Sequence, residues 1–159
     1  MHAEPQKEHH WLQKLVGEWT FECECSMGPD QPAMKWNGAD IVRSFGGLWT
    51  IGESQGELPG GGGCQSIMTL GFDPESKRFV GTFVAAEGTR LWIYDGALDA
   101  AEKVLTLDTE GPKFTGEGLA KYQDIIEFVS DDHRTLSSQI LGDDGQWQPF
   151  MKAHYRRKR

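Results

Sequence analysis

Long apolar segments are missing from this chain of 159 residues, and no stretch approaches the roughly 20 residues that a helix needs to cross a bilayer. The first ten residues also lack the apolar core of a signal peptide. We therefore expect a cytoplasmic protein that does not insert into a membrane.

Cysteine is scarce, with three residues in the chain. An odd number cannot pair completely, and Cys23 and Cys25 lie two residues apart on one predicted strand, where the geometry disfavours a disulfide. No group of cysteines and histidines has the spacing of a zinc site. The sequence therefore predicts reduced thiols that are small buried hydrophobic groups, and it predicts no metal and no cofactor.

Basic residues are outnumbered, since 16 lysines and arginines stand against 24 aspartates and glutamates and give a formal net charge of −8. The basic run at 156–159 has the character of a solvated chain end. An acidic surface repels nucleic acid and anionic membranes, so we expect neither as a partner.

Familiar catalytic motifs are missing as well. The chain has no Gly-x-Ser-x-Gly elbow and no His-Glu-x-x-His, and no Gly-Lys-Ser/Thr follows the glycine-rich stretch at 59–63. Three of the five histidines lie in the first ten residues, one lies at a predicted turn, and the last is His154. These residues predict no catalytic triad.

A short helix is predicted near the start of the chain. Residues 1–10 are polar and are expected to form a flexible segment, and residues 11–159 have the length of a single domain with one core. Leu12, Leu15 and Val16 have the spacing of one apolar helix face, which Gly17 ends.

From residue 18 onwards the apolar period is two, as in a half-buried antiparallel strand, and Trp19, Phe21 and Cys23 alternate with polar residues. Turns rich in Gly, Asp and Pro, the first at 28–32, separate the strands. Ten strands are predicted, at 18–26, 36–45, 48–55, 65–72, 77–85, 89–96, 103–110, 119–129, 134–141 and 148–157. Short connections without helices favour an all-β, antiparallel up-and-down β-barrel with the helix capping one end.

Ordered landmarks along nearly the whole chain resemble the domain of unknown function 1579 family. They are Leu-Val-Gly-Glu-Trp at 15–19, Gly-Gly-Leu-Trp at 46–49, Met-Thr-Leu-Gly-Phe-Asp-Pro at 68–74, Leu-Trp-Ile-Tyr-Asp-Gly at 91–96, Asp-Asp-His-Arg-Thr-Leu at 131–136 and Tyr-Arg-Arg at 155–157. The Gly-x-Trp element after a short helix is also similar to the opening of the calycins, the lipocalins and fatty-acid-binding proteins. The resemblance implies a hollow barrel for a small hydrophobic or amphipathic ligand such as a lipid, and it supplies no catalytic residues.

One position departs from the fatty-acid-binding proteins, which hold the carboxylate head with Arg-x-Tyr on the last strand. The matching position before Tyr155 is Ala153. This departure argues against a head-group site of that kind.

The candidate ligand-binding residues lie on the more apolar face of each strand, which we take as the inward face. Charged or polar groups on such faces must be paired or hydrogen-bonded, and Arg43 could neutralise Glu53 on the neighbouring strand. The candidates are Arg43, Trp49, Glu53, Met68, Phe83, Trp92, Tyr94, Tyr122, Asp124 and Tyr155.

Three kinds of function stay open at this point. The first is a non-catalytic barrel that binds a small apolar or amphipathic molecule. The second is an enzyme or haem protein using the same cavity, with Glu53 and Asp124 as paired carboxylates, although strand alternation turns His154 outward. The third is a barrel packed solid with aromatic side chains that acts through its surface or as a homo-oligomer.

Overall fold

In a computed structural model that describes residues 2–26 and 30–159, ten antiparallel strands close into one barrel. Each strand pairs with its neighbours in sequence, and the first pairs with the last to complete the ring. The strands are β1 Gly17–Cys25, β2 Met34–Phe45, β3 Trp49–Glu57, β4 Gly63–Asp73, β5 Arg78–Ala85, β6 Trp92–Leu98, β7 Val104–Pro112, β8 Leu119–Ser130, β9 His133–Leu141 and β10 Trp147–Arg157. The predicted ten-stranded up-and-down barrel is confirmed.

Strand boundaries follow the predicted ones within a few residues. The largest shift is at β6, which begins at Trp92 instead of residue 89. Residues 86–91 form the loop before it, where the Gly88 amide donates to the Ala85 carbonyl in a tight turn. In the predicted turn at 28–32, residues 28 and 29 lie outside the described residues.

The helix α1 spans Lys7–Gln13, so it begins inside the segment 1–10 that was predicted to be flexible. His9 accounts for the difference, because its Nδ1 accepts the Gln6 amide at 2.9 Å and its Nε2 then donates to the Phe72 carbonyl at 3.0 Å. Residues 7–10, expected to be loose, are therefore helical. No helix among the described residues is long and apolar enough to cross a membrane.

Gly17 begins β1, whereas the prediction that it ends the helix is wrong, because α1 ends at Gln13 and Leu15 and Val16 lie in the connection between them. Its φ of +140° is unusual for residues with a side chain, and a Cβ there would lie 2.5 Å from the Arg157 guanidinium. That guanidinium donates to the Val16 carbonyl at 2.8 Å and ties the last strand to the end of the helical segment.

The helix closes one end of the barrel. Trp11 is buried there, packs edge-on against Phe79 and Phe128, and donates its indole N–H to the Glu102 carbonyl at 2.7 Å. Leu12 is fully buried beside it. We call this the helix end; the opposite loop end carries the β1–β2, β3–β4, β5–β6, β7–β8 and β9–β10 connections.

Candidate functional site

Two adjoining cavities lie inside the barrel. The inner cavity has a volume of about 60 Å³, and the outer cavity, which lies towards the loop end, has a volume of about 210 Å³. Their shared wall residues are Ser54, Ser66, Phe83, Leu136 and Tyr155. The interior therefore holds two adjoining spaces beneath the loops, and the barrel is not packed solid.

A buried ion pair lies at the wall of the inner cavity. Arg134 on β9 is 4% exposed, and its Nη2 donates to Asp40 Oδ2 on β2 at 2.8 Å. Ser54 donates to the other carboxylate oxygen of Asp40 at 2.9 Å. The guanidinium lies 4.6 Å from the centre of the Trp19 ring and 4.0 Å from that of Tyr155, so aromatic faces surround the cation.

One donor of this ion pair is left over. The Nε of Arg134 is buried and has no hydrogen-bond partner among the described residues. Buried donors in native proteins are nearly always satisfied, by protein, ordered water or ligand. Since Arg134 also lines the inner cavity, a guanidinium with one donor to spare lies at the cavity wall.

A second polar cluster centres on Asp124 of β8. Tyr94 donates its hydroxyl proton to Asp124 Oδ2, and Ser138 donates to Oδ1 at 2.5 Å. Burial raises the pKa of Asp124, and the hydrogen bonds from Ser138 and Tyr94 oppose that rise. The pKa of Tyr94 lies well above its ordinary value, first because of burial and then because of the Asp124 charge, so the tyrosine stays a neutral donor.

Tyr155 belongs to both polar regions and to both cavities. Burial raises its pKa, and the Arg134 charge opposes the rise. Its ring also lies 5.3 Å from that of Phe21. The phenol is therefore a neutral polar group at the junction of the cavities.

The outer cavity has a soft, apolar lining. Its wall includes the side chains of Phe21, Trp36 and Met151. It also includes the thiols of Cys23 and Cys64. Burial raises the pKa of Cys23 to about 12, so this thiol is a protonated, weakly nucleophilic group at neutral pH. The lining suits the apolar part of a small molecule.

Most of the predicted site residues face inward. Met68 and Phe83 line the inner cavity with Tyr155, while Tyr94 and Asp124 form the second polar cluster. Two further candidates, Trp92 and Tyr122, pack edge-on with their ring centres 5.1 Å apart. They belong to a separate aromatic cluster that also contains Phe114 and Phe150. Tyr122 donates there to the carbonyl of Pro112.

Three predicted site residues point away from the interior: Arg43, Trp49 and Glu53 are all exposed. The prediction assumed that the more apolar face of β3 turns inward, whereas the inner face carries Thr50, Gly52 and Ser54. Asp40 packs against this inner face, since a Cβ on Gly52 would be in van der Waals contact with its carboxylate at 3.4 Å. The expected Arg43–Glu53 pair inside the barrel is therefore wrong.

The outer position of Trp49 has its own local cause. A Cβ on Gly71 would lie 2.4 Å from the Trp49 ring, so the indole packs flat against bare backbone on the outside of β4. Its partial exposure, 42%, reflects this outward packing.

Sequence reasoning missed Arg134 and Asp40, the true buried pair. Strand alternation contains the signal, because Arg134 shares a face with Leu136 and Asp40 shares one with Val42. Arg134 also lies directly opposite Tyr155 in the β9–β10 ladder. The barrel thus has an interior arginine, Arg134, beside Tyr155. This arginine comes from the neighbouring strand β9 and not from position 153, where the chain has Ala153.

The late histidine faces outward, as strand alternation predicts. His154 Nδ1 lies 3.0 Å from His133 Nε2 on the outside of the barrel. Burial lowers the pKa of His133, and the charges of Arg156 and His154 lower it further. Within 2–26 and 30–159, no group of three or more His, Cys, Asp or Glu residues is placed to hold a metal ion.

Together these features define a closed antiparallel β-barrel with a lined interior space and buried polar groups at its wall. The sequence matches the family described as protein of unknown function (DUF1579) over residues 4–157, and the chain belongs to that family. No curated protein matches it significantly.

Solved structures share the fold at low sequence identity. The S-type phycobiliprotein lyase CPES from Guillardia theta has 11% identity and a TM-score of 0.64, with 99% of each chain covered. Rv2717c from M. tuberculosis has 14% identity and a TM-score of 0.64, with 98% of this chain and all of that chain covered. EF1p2_mFAP2b bound to DFHBI has 13% identity and a TM-score of 0.51, with 94% of this chain and 98% of that chain covered.

Proposed function

We propose that this protein binds one small amphipathic molecule inside the barrel, with its apolar part in the outer cavity and a hydrogen-bond acceptor beside Arg134. The observation that carries the proposal is the buried Nε of Arg134, a donor without a partner among the described residues, on a residue that lines an interior cavity. A donor held this way is satisfied by a ligand that the apolar wall alone would not orient.

The charge balance of the site favours an amphipathic molecule over a highly charged one. Asp40 already neutralises the Arg134 guanidinium at 2.8 Å, and Asp124 adds a second acidic group to the interior. A ligand with several anionic groups would meet repulsion, whereas a single carbonyl or carboxylate fits one free donor. Fold relatives support the class, since one was solved with DFHBI bound and another is named as a phycobiliprotein lyase.

Binding is tested by titration with the amphipathic fluorescent probe 1-anilinonaphthalene-8-sulfonate, followed by competition with short fatty acids. We expect saturable binding of one probe per chain. In Ser66→Phe, a ring at a position shared by both cavities fills the space, and the affinity should fall at least roughly tenfold, the equivalent of about 1.4 kcal/mol.

Ser137→Phe is the matched control. Ser137 also lies on a strand of the barrel, β9, but its side chain faces outward, and it pairs with Lys152. It should leave the affinity unchanged, and thermal unfolding shows that both variants are folded. Equal effects of the two substitutions, or probe binding that does not saturate, would overturn the proposal.

A further inference from the structure

A patch of exposed apolar side chains lies among polar residues on the outer surface of the barrel. It is on β2–β6, where Ile41 is 54% exposed and Ile93 is 64% exposed, and the outward positions around it include Lys35, Glu57 and Asp95. We call this patch the outer apolar face: Ile41, Phe45, Trp49, Ile51, Ile67, Val84 and Ile93.

The remaining strands, β1 and β7–β10, carry more charge on the outside, and Glu22, Glu24, Lys121, Glu127 and Lys152 are all exposed there. Leu119 and Val129 are the exposed large aliphatic residues on β8, at 51% and 59%. Large exposed apolar patches with a polar surround are typical of interaction surfaces.

Strand register shows that the outer apolar face is continuous. Ile41 pairs with Glu53, Glu53 with Ile67, and Ile67 with Val84, which forms one row across four strands. The adjacent row consists of Arg43, Ile51, Thr69, Thr82 and Ile93, and the hydroxyls of its two threonines hydrogen-bond to each other at 2.8 Å. The two rows together make a pleated surface of β-branched side chains, the kind that packs face to face against another sheet.

Arg43 and Glu53 are the charged residues of these two rows, and they lie diagonally next to each other on β2 and β3. Among the described residues neither forms an ion pair. A cation and an anion side by side in an apolar surface form a self-complementary pattern. A twofold rotation can place the Arg43 of each copy opposite the Glu53 of the other.

We propose that the outer apolar face is the interface of a homodimer, with Arg43 and Glu53 paired reciprocally across a twofold axis. A second copy supplies both the flat apolar surface and the matching charges. An anionic membrane suits the face less well, because its two charges cancel and the chain as a whole carries a net charge of −8.

The test is the solution mass of the full-length protein by analytical ultracentrifugation at several concentrations, with a chain mass of 17.8 kDa as the reference. We expect the wild type to be a dimer. Arg43→Glu and Glu53→Arg should each raise the dimer Kd at least roughly tenfold, because each creates two like-charge contacts. The double variant should recover the wild-type Kd, since reciprocal pairing is restored.

Lys121→Glu is the matched control for charge reversal, on the outside of β8, and it should leave the dimer intact. Ile93→Glu tests the apolar contribution without touching either charge, and it should also weaken the dimer. A monomeric wild type would overturn the proposal, whether or not it cosediments with anionic vesicles. A dimer that persists in Arg43→Glu and Ile93→Glu would place the interface elsewhere and overturn it equally.

Discussion

At Arg134 a single side chain connects three parts of the barrel. It forms an ion pair with Asp40 on the far side of β1 and β10, packs between Trp19 and Tyr155, and lines the inner cavity. Buried ion pairs of this kind contribute little net stability as pairs, but removal of one partner leaves an uncompensated charge. The residue is therefore sensitive to substitution even if no ligand is present.

Arg134→Met should lower the free energy of unfolding by about 3 to 5 kcal/mol, because the Asp40 carboxylate is left buried without its cation. Denaturant unfolding of the purified protein measures this. The double variant Arg134→Met with Asp40→Leu removes both charges and should recover most of the loss. If the double variant is no more stable than Arg134→Met, the ion pair does not explain the cost.

Asp124 makes the stability of the folded protein depend on pH. The pKa of its carboxyl is raised above the ordinary value of 3.8, so the folded state holds this proton more tightly than the unfolded chain does. Its contribution to stability is therefore fully present below about pH 3.8 and is lost as the pH rises through the raised pKa.

Asp124→Asn removes that titration while keeping groups that can bond Ser138 and Tyr94. The unfolding free energy of the wild type, minus that of the variant, should fall as the pH increases through this window. Denaturant unfolding at a series of pH values gives the difference directly. A difference that stays flat or rises with pH would show that burial does not control this carboxyl.

Among the elements, α1 and the start of β1 act as one closing unit. Trp19 is 1% exposed and donates its indole N–H to the Leu15 carbonyl at 2.9 Å, which joins the strand to the helical segment. Arg157 lies 4.2 Å above the ring of Trp19, on the side of β10. The first and last strands are thus fastened at the helix end.

Trp19→Ala should lower the free energy of unfolding by about 3 to 5 kcal/mol, because it leaves a large cavity and removes the link to Leu15. The matched control is Trp147→Ala on β10, where the indole is 37% exposed and the loss should be much smaller. Equal losses in denaturant unfolding would show that Trp19 does not hold the helix end closed.

Elements with clear alternation could be predicted from the sequence, and β1 is the best example: Trp19, Phe21 and Cys23 are buried while the residues between them are exposed. The start of α1 could not be predicted in this way. Its N-terminal hydrogen bond comes from His9, and histidine is not part of the usual capping signature of Ser or Thr followed by Glu.

The prediction of which face of β3 turns inward was wrong for a different physical reason. Both faces of that strand contain residues that can be buried: Ser54 on the inner face bonds Asp40 of the neighbouring β2, whose cation Arg134 comes from β9, while Trp49 on the outer face packs on Gly71 of β4. Alternation shows that a segment is a strand. It does not show which of the two faces turns inward when either face could be buried. Three of the ten candidate site residues, Arg43, Trp49 and Glu53, were therefore placed on the wrong side of the sheet.

At the scale of the whole molecule, the two proposed surfaces are separated by the thickness of the sheet. Residues such as Ser54 and Ser66 face the cavities, and their neighbours Glu53 and Ile67 face the outside. Ligand and second copy would thus use opposite faces of the same strands, β3 and β4. The closed barrel keeps this alternation because β1 pairs with β10 and leaves no free edge.

The closure of the helix end also has a kinetic consequence. With Trp11 hydrogen-bonded to Glu102 across that end, a molecule bound as proposed would have to enter and leave by the loop end. A competitor could not enter from the helix end while the first molecule is bound, so exchange would require the first molecule to dissociate. The observed exchange rate should then level off at the spontaneous off-rate, however concentrated the competitor.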